Sequence, residues 1–181
     1  MRRRPCRARV DALSSTSMAS DAPGFDPVTH RFGEPRYFEE MKVGETFYLP
    51  SRTLTDANFA AFQTVSGDNH PIHYDIEYCR RQGHPGLLAH GFQVLAQTAA
   101  GAGVFPHVVA ESLIGFIEQS SRFLKPVYSG DTVYPLLTVT ALTPGRTTGV
   151  ITLRSTVHNQ RRELCMEGEQ KYLVRKRHPD A

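Results

Sequence analysis

The chain has 181 residues, enough to bury one domain's core without support from disulfides or a metal. Its apolar fraction of 40% and charged fraction of 22% are typical of soluble globular proteins. The net charge of +3 comes from the first twenty residues, where five arginines oppose one aspartate. The remaining residues carry a net charge of −1, which argues against a basic nucleic-acid-binding surface.

The cysteine content and the hydropathy indicate a cytoplasmic protein. Cys6, Cys79 and Cys165 are odd in number and widely spaced, as expected for free thiols in a reducing compartment. The most apolar window, residues 86–110, contains histidines and glutamines and is too polar to span a bilayer. No apolar segment follows the N-terminal arginines, as a signal peptide would require.

Residues 1–20 allow three interpretations. Their composition favours a disordered, solvated tail. Met18 is a second candidate start just before the sequence becomes domain-like, and the enrichment in arginine and serine also fits a mitochondrial transit peptide, which would place the protein in the matrix. We predict a disordered or irregular extension over residues 1–36 and a single domain over residues 37–176.

The first half of this domain contains a strand, a helix and a long loop. Residues 43–55 alternate as a strand does, and Thr55 then caps a short helix whose apolar residues recur at intervals of three. Gly67 ends this helix. Residues 67–89 lack periodicity and are rich in proline and glycine, which predicts a long functional loop.

The second half contains one apolar helix and an antiparallel meander. Residues 90–104 are apolar around nearly the whole circumference of a helix, which predicts a helix that is buried on most sides. After this helix the apolar period changes to two, which predicts strands at 112–124, 131–142, 148–158 and 162–174. In the second of these strands, Pro135 indicates an edge strand or a bulge. This order indicates an α+β fold in which one helix lies against a curled sheet.

The loop begins with the segment SGDNHPIHYD, residues 66–75, which is rich in reactive side chains. Gly67 permits a tight exit from the helix, and Pro71 fixes one backbone angle between Asp68 and His73. A loop stiffened in this way can direct a carboxylate and an imidazole at one water molecule, as general acid–base catalysis requires. The spacing alone also fits a turn aspartate and a core histidine.

A metal site is the rival interpretation of this region. His70, His73, His84 and His90 fall close together, and an H-x-x-H pair can chelate a metal ion. A structural zinc site needs four converging ligands, and no cysteine joins these histidines. We therefore predict no metal.

The segment SGDNHPIHYD, followed by LLAHG at 87–91, resembles the S/T-G-D-x-N-P-x-H motif of the MaoC-like hydratases, the (R)-specific or type 2 enoyl-CoA hydratases. A later segment, RFLKPVYSGDTV at 122–133, is similar to a strand and turn that these domains share. The likeness covers residues 37–174, and two separate motifs in the right order make it specific.

This resemblance implies a hot-dog fold, in which an antiparallel sheet wraps around a central helix, and a homodimer or higher homo-oligomer. It implies that Asp68 and His73 form the catalytic dyad. They would add water syn across the 2,3 double bond of an enoyl-CoA to give an (R)-3-hydroxyacyl-CoA, or remove it, in fatty acid metabolism. A backbone N–H at His90–Gly91 and the positive end of the helix dipole would stabilise the thioester oxygen. No cofactor is implied, because coenzyme A belongs to the substrate.

The chain departs from the family motif at His70, where the family has asparagine, while Asn69 lies one position earlier. We expect His70 and Asn69 to order the loop or contact the substrate. The departure favours a short branched or dicarboxylic acyl group of the mesaconyl or itaconyl type. A hot-dog thioesterase and a non-catalytic acyl-CoA-binding domain remain open as alternatives.

Basic residues near the predicted loop and at the C-terminus have two interpretations. Arg122, Lys125 and the run at 175–177 either meet the phosphates of coenzyme A or are solvated surface charge, and the latter is favoured for the C-terminal run. Cys79 has no activating neighbour in the sequence and is interpreted as a packing residue.

Overall fold

The computed structural model describes residues 26–178. The chain divides into two units, Met1–His30 and Arg31–Ala181. In the first, the described residues form a 3₁₀ turn at Pro27–Thr29, which begins at Asp26 because its side chain accepts a hydrogen bond from the N–H of Val28. The predictions for residues 1–20 lie outside the described residues, as does most of the predicted extension. The predicted domain limits therefore stay a prediction.

Within the described residues, six antiparallel strands form one sheet in the second unit. The strand order is β1-β4-β5-β6-β3, and β2 also pairs with β4. Two hairpins join β4 to β5 and β5 to β6, which confirms this part of the predicted meander, but the strand predicted at 112–124, β3, pairs with β6 and does not lie next to β4. The strands are β1 (Thr46–Tyr48), β2 (Arg52–Thr53), β3 (Leu113–Phe123), β4 (Thr132–Pro144), β5 (Thr148–Asn159) and β6 (Leu164–Arg175).

The helices of the described part are short, apart from the first. They are α1 (Asp56–Ser66), α2 (Ile76–Arg81), α3 (Gly91–Ala96) and α4 (Phe105–Val108). Short 3₁₀ turns lie at Phe38–Glu40, Pro71–His73 and Ala100–Ala102. Together with the sheet they confirm the predicted α+β class.

The predicted first helix is confirmed as α1. It begins after Thr55, which forms a capping box with Asn58. It ends at Gly67, whose φ of 68° lies in the left-handed region that glycine adopts without strain. This turn sets the direction in which the chain leaves the helix towards Asp68.

The prediction of one irregular loop from 67 to 89 was wrong, because the segment contains α2. The carboxylate of Asp75 accepts hydrogen bonds from the N–H groups of Glu77 and Tyr78, at 2.9 and 3.0 Å, and so starts this helix. With six residues, the helix is too short to produce a visible apolar period in the sequence.

The prediction of one buried helix over 90–104 was also wrong. The α-helix ends at Ala96, and Phe92 remains 65% exposed. The backbone carbonyl of Thr98, just after the helix, accepts a hydrogen bond from the side chain of Gln170 at 3.0 Å. This carbonyl is therefore bound by a residue of β6. This contact lies far away in the sequence and leaves no local signal.

The predicted first strand over 43–55 is divided into two strands, β1 and β2. Both pair with β4, on either side of Pro135. β4 is an interior strand whose irregularity lies between Val139 and Ala141, so neither the edge nor the bulge predicted at Pro135 is found there. Leu49 donates its N–H to the carbonyl of Pro135 at 3.3 Å, so Pro135 faces the gap between β1 and β2. The missing N–H of this proline therefore costs only the reciprocal bond to Leu49, and the pairing of Pro135 with Val157 of β5 is kept.

Two clusters of buried apolar side chains fill the space between the sheet and the helices. One surrounds Phe105 and includes Ile151 and Leu153 of β5. The other includes Phe59 of α1 and Val157, with the partly buried Tyr74 and Leu87 packed against it. The second cluster lies beneath the loop that follows α1 and gives that loop a rigid base.

Candidate active site

Asp68 is held by the backbone immediately after α1. Its Oδ1 accepts the N–H of His70 at 2.9 Å, and its own N–H donates to Oγ of Ser66 at 3.2 Å. The carboxylate is about one third exposed, at 35%. Its orientation is therefore fixed by the turn while one side stays open to solvent.

His90 binds the second oxygen of this carboxylate. The Nε2 atom of His90 lies 2.8 Å from Oδ2 of Asp68. At the other side of the ring, Nδ1 accepts the N–H of Phe92 at 3.0 Å and caps α3. An imidazole nitrogen that accepts a hydrogen bond carries no proton, so the proton of neutral His90 lies on Nε2 and is donated to Asp68.

The electrostatics follow from these bonds. The backbone N–H of His70 and, after it, the side chain of His90 hold the pKa of Asp68 below its ordinary value, while desolvation opposes them. Both donors favour the charged form. Asp68 is therefore an ionised hydrogen-bond acceptor at neutral pH.

His73 has the opposite tautomer. Its Nδ1 atom lies 2.6 Å from the backbone carbonyl of Leu88, which can only accept, so Nδ1 carries the proton. The Nε2 atom then keeps a free lone pair. The His73 ring centroid lies 5.1 Å from that of His90.

The backbone around Leu88 is itself fixed on both sides. Its N–H donates to the carbonyl of Ile72 at 3.1 Å, and Leu88 forms an isolated bridge with Tyr128. The carbonyl of Ile72 also accepts the thiol of Cys79 at 3.0 Å. His73 is thus oriented by a chain of contacts that ends in the loop before β4.

Asp68, His73 and His90 converge on one point. One side-chain ligand atom from each lies within 4.8 Å of the others. All three residues are partly buried. An ionised carboxylate and two imidazole rings therefore surround one small volume, the size at which a carboxylate and an imidazole can contact one water molecule.

An apolar cleft of about 430 Å³ opens beside this point. His73, Gly91 and Lys125 line it. The phenyl ring of Phe123 covers Gly91 so closely that a Cβ there would lie 3.1 Å from two ring carbons. The remaining lining residues are apolar: Leu88, Ala89, Val94, Leu124, Pro126 and Val127.

His70 and Asn69 are exposed and lie on what we call the outer side of the loop, and the ring of His70 also meets that of His73 edge-on, at 6.2 Å between centroids. Nδ1 of His70 accepts the N–H of Ile72 at 3.3 Å, and its ring meets that of Tyr78 edge-on. The side chain of Asn69 is bound to Gln63 of α1. The structure thus brings Asp68, His73, His90 and Gly91 together and leaves Asn69 outside the cluster, so a substrate contact by Asn69 stays a prediction.

The same hydrogen bonds bear on the metal interpretation. Asp68, His73 and His90 are close enough to share an ion. Nε2 of neutral His90 carries a proton, however, and cannot ligate without breaking the cap of α3. Two remaining ligands are too few for a structural zinc site, so this donor set favours acid–base chemistry over metal binding.

Three parts of the site could not be read from the sequence. They are the carbonyl of Leu88, the thiol of Cys79 and the ring of Phe123. A backbone carbonyl has no sequence signature, and the ring reaches the site only because β3 crosses the start of α3. Cys79 is buried, and its thiol supports the loop, which adds a hydrogen bond to its predicted packing role.

The sheet and the helical segment beside it define a hot-dog protein. The structure of a monoamine oxidase regulatory protein from Archaeoglobus fulgidus matches with a TM-score of 0.75 and 29% identity, covering 82% of this chain and 99% of that one. A Mycobacterium tuberculosis protein described as a double hot-dog fold matches with a TM-score of 0.66 and 24% identity, covering 81% of this chain and 48% of that one.

Sequence relatives give the family. The MaoC like domain matches residues 39–160, and the chain belongs to this family. An (R)-specific enoyl-CoA hydratase from Rhodospirillum rubrum is 30% identical over 142 residues, which cover 76% of this chain and 91% of the relative. Protein MaoC from Klebsiella aerogenes is 32% identical over 104 residues, 57% of this chain but only 30% of the length of that protein. The family supports hydratase or dehydratase activity.

Within the described residues, no helix is both long and apolar enough to cross a membrane.

Proposed function

We propose that this protein adds water across the 2,3 double bond of an enoyl-CoA and catalyses the reverse dehydration of a 3-hydroxyacyl-CoA. The observation that carries the proposal is the pairing of an ionised Asp68 with the free Nε2 lone pair of His73 at the mouth of an apolar cleft. The hydratase and dehydratase relatives support the same class of reaction.

The two tautomers divide the proton transfers between the residues. Water binds with one hydrogen directed at Nε2 of His73 and the other at the carboxylate of Asp68. The water oxygen attacks C3 of the enoyl group as His73 takes the first proton, and the electron pair moves to the thioester oxygen. The His73 imidazolium then returns this proton to C2 on the same face, which gives syn addition. The (R) configuration of the product is the one expected from the likeness to the (R)-specific hydratases. Asp68 stays ionised throughout and stabilises the imidazolium.

The negative charge that develops on the thioester oxygen needs a fixed donor. We assign this role to the backbone N–H of Gly91, because the first N–H groups of a helix have no partner within it. One well-placed donor of this kind changes the rate by about 10²–10³. Because α3 has only six residues, the N–H itself, more than a helix dipole, supplies the stabilisation.

Lys125 is the cation placed to meet the coenzyme A portion, because it lines the cleft. Arg122 is instead paired with Glu167 on the sheet. Phe123 and Leu124, which lie between these two basic residues in the sequence, form part of the cleft wall. This proposal does not specify the acyl group of the substrate. A panel of plain, branched and dicarboxylic enoyl-CoA thioesters tests the expectation that the departure at His70 favours a short branched or dicarboxylic acyl group.

We further propose a homodimer. β3 is an edge strand of the described sheet and carries the exposed apolar side chains Ile114, Phe116 and Ile117. A long edge of this kind is normally covered in a soluble protein. Size-exclusion chromatography with light scattering measures the oligomeric state, and a monomer at micromolar concentration would contradict this proposal.

Hydration is tested by following loss of the enoyl-thioester absorbance of crotonyl-CoA. We expect His73→Ala and Asp68→Asn each to lower kcat/KM by about 10²–10⁴, the usual contribution of a positioned acid or base. His158→Ala and Asp56→Asn are matched controls, since both lie outside the site and should keep normal turnover. Full turnover in both site variants would refute the dyad, and release of free thiol would identify a thioesterase. Binding without conversion across the panel would identify a non-catalytic domain.

A further inference from the structure

A second cleft, of about 410 Å³, lies between the segment that follows α3 and the inner face of the sheet. Most of its lining is apolar or small, including Leu95, Ala99, Leu113 and Phe116. Three of its polar lining residues form a buried group, which we call the polar floor: Thr98, Gln170 and Tyr172.

Both clefts run between the same two segments of the molecule. Gly91 and Phe123 line the first, at the start of α3 and the end of β3. Leu95 and Phe116 line the second, further along the helical segment and further back along β3. The two clefts share no lining residue, but Val94 of the first and Leu95 of the second are neighbours in α3, so the second cleft is the next one along the helical segment from His73.

The polar floor is deeply buried. Thr98 is 0% exposed, Gln170 3% and Tyr172 8%. Buried polar side chains in an apolar cleft are costly unless each is hydrogen-bonded, so their bonds determine what else they can bind.

The orientation of the Gln170 amide is fixed by its neighbours. Its nitrogen lies 3.0 Å from the carbonyl and 2.9 Å from the hydroxyl of Thr98, and a carbonyl accepts only from a donor. Its oxygen therefore faces Tyr172, whose hydroxyl donates to it at 2.9 Å. The hydroxyl of Thr98 donates to the carbonyl of Leu95 at 2.8 Å.

These bonds use all the side-chain N–H and O–H donors of the polar floor and leave acceptor lone pairs on its oxygen atoms. Tyr172 Oη and Gln170 Oε1 can each accept one more hydrogen bond, while the donors are already engaged. A ligand group that donates is satisfied there. At the polar floor itself a carboxylate finds no donor and would lose its hydration without compensation; the amide of Gln119, which also lines the cleft, donates to the carbonyl of Ser120.

We propose that the second cleft holds the distal part of the acyl chain and that the polar floor selects enoyl-CoA substrates with a hydroxyl group near that end. This inference rests on the proposed hydration of enoyl-CoA and specifies its substrate class. It predicts that a chain ending in a hydroxyl is preferred over a matched chain ending in a methyl group or a carboxylate.

The test measures kcat/KM for crotonyl-CoA and for a series of longer trans-2-enoyl-CoA thioesters. Each length is supplied with a methyl, a hydroxyl and a carboxyl end. At the length that reaches the floor, we expect the hydroxyl end to be favoured about tenfold over methyl, the effect of one good buried hydrogen bond. The carboxyl end should be the poorest substrate of the three.

Two variants separate recognition from a purely structural role. Tyr172→Phe keeps the ring that packs on Phe105 and Phe116 and exposes Oε1 of Gln170, so the hydroxyl preference should persist. The double variant Gln170→Leu with Tyr172→Phe removes both acceptors, so the preference should fall to about onefold. Crotonyl-CoA, which is too short to reach the floor, reports whether each variant is folded and active.

The outcomes are distinguishable. If the unaltered protein does not hydrate crotonyl-CoA, the proposed function fails. If it hydrates crotonyl-CoA but shows no preference for the hydroxyl end at any length, or prefers the carboxyl end, only the polar-floor proposal is overturned. A preference that survives in an active double variant also overturns it.

Discussion

The inner and outer sides of the loop after α1 differ in what holds their side chains. On the inner side, Asp68 and His73 are each bound to a distant segment, through His90 and the carbonyl of Leu88. On the outer side, Asn69 is bound to the preceding helix and His70 to the loop itself. The reactive groups thus combine tertiary contacts with the local bonds that hold Asp68, while the loop-shaping groups use local bonds alone. This difference predicts which substitutions affect chemistry and which affect only loop stability.

The largest effect after loss of the dyad is expected at Gly91. In Gly91→Ala the new Cβ would lie 3.1 Å from the Phe123 ring, so the ring or the helix start must move. A shift of about 1 Å at a catalytic donor costs up to about 10² in rate. We expect kcat for crotonyl-CoA to fall by about 10–10², and the double variant with Phe123→Leu to recover part of it. A single variant with normal kcat would show that the N–H of Gly91 is not the donor.

The next effect is a change in pH dependence at His90. His90→Asn keeps a side-chain oxygen to cap α3 but removes the donor to Asp68. Because that donor helps to lower the pKa of Asp68, its loss should raise this pKa towards its ordinary value. The Asp68 carboxyl should therefore titrate at higher pH than in the unaltered protein, which carboxyl ¹³C NMR measures. His158→Asn serves as the control, and an unmoved Asp68 titration in the His90 variant would contradict the assignment.

A smaller effect is expected at His70, where the family has asparagine. Nδ1 of His70 accepts the N–H of Ile72, a bond that an asparagine side-chain oxygen also makes in turns. His70→Asn should therefore keep kcat/KM within about threefold, whereas His70→Ala should lower the free energy of unfolding by about 1 kcal/mol, as loss of a cap does. Denaturant unfolding measures the second value. A large loss of activity in His70→Asn would instead place His70 in substrate recognition.

The smallest effect is expected at Asn69. Its side chain binds Gln63 on the outer side of the loop, so Asn69→Ala should change kcat/KM by less than about twofold. Asp68→Asn, one residue earlier, is the natural contrast. A tenfold loss at Asn69 would show that the two sides of the loop are not functionally distinct.

Local signals were sufficient for parts of this molecule. Thr55 and Gly67 mark the ends of α1 in the sequence, and the hairpins between β4, β5 and β6 follow from alternation and short turns. Asp68 and His73 could be singled out because Gly67 and Pro71 constrain the chain between them. Each of these features depends on residues a few positions apart.

The remainder depends on contacts between distant segments. Just after the end of α3, the carbonyl of Thr98 is bound by Gln170, which lies seventy-two positions further along the chain. The tautomers of His73 and His90 depend on a carbonyl and an N–H that the sequence does not distinguish. The different roles of His73 and His90 in the site therefore became visible only in the folded structure.

Pro135 restricts how the N-terminal strands align on β4. It lies opposite the gap between β1 and β2, and a slip of either strand along β4 would place a residue where a ladder bond from Pro135 is impossible. Misaligned pairings are thereby penalised during folding. The residue that follows β2 leads directly to Thr55, so this proline also sets where α1 starts relative to the sheet.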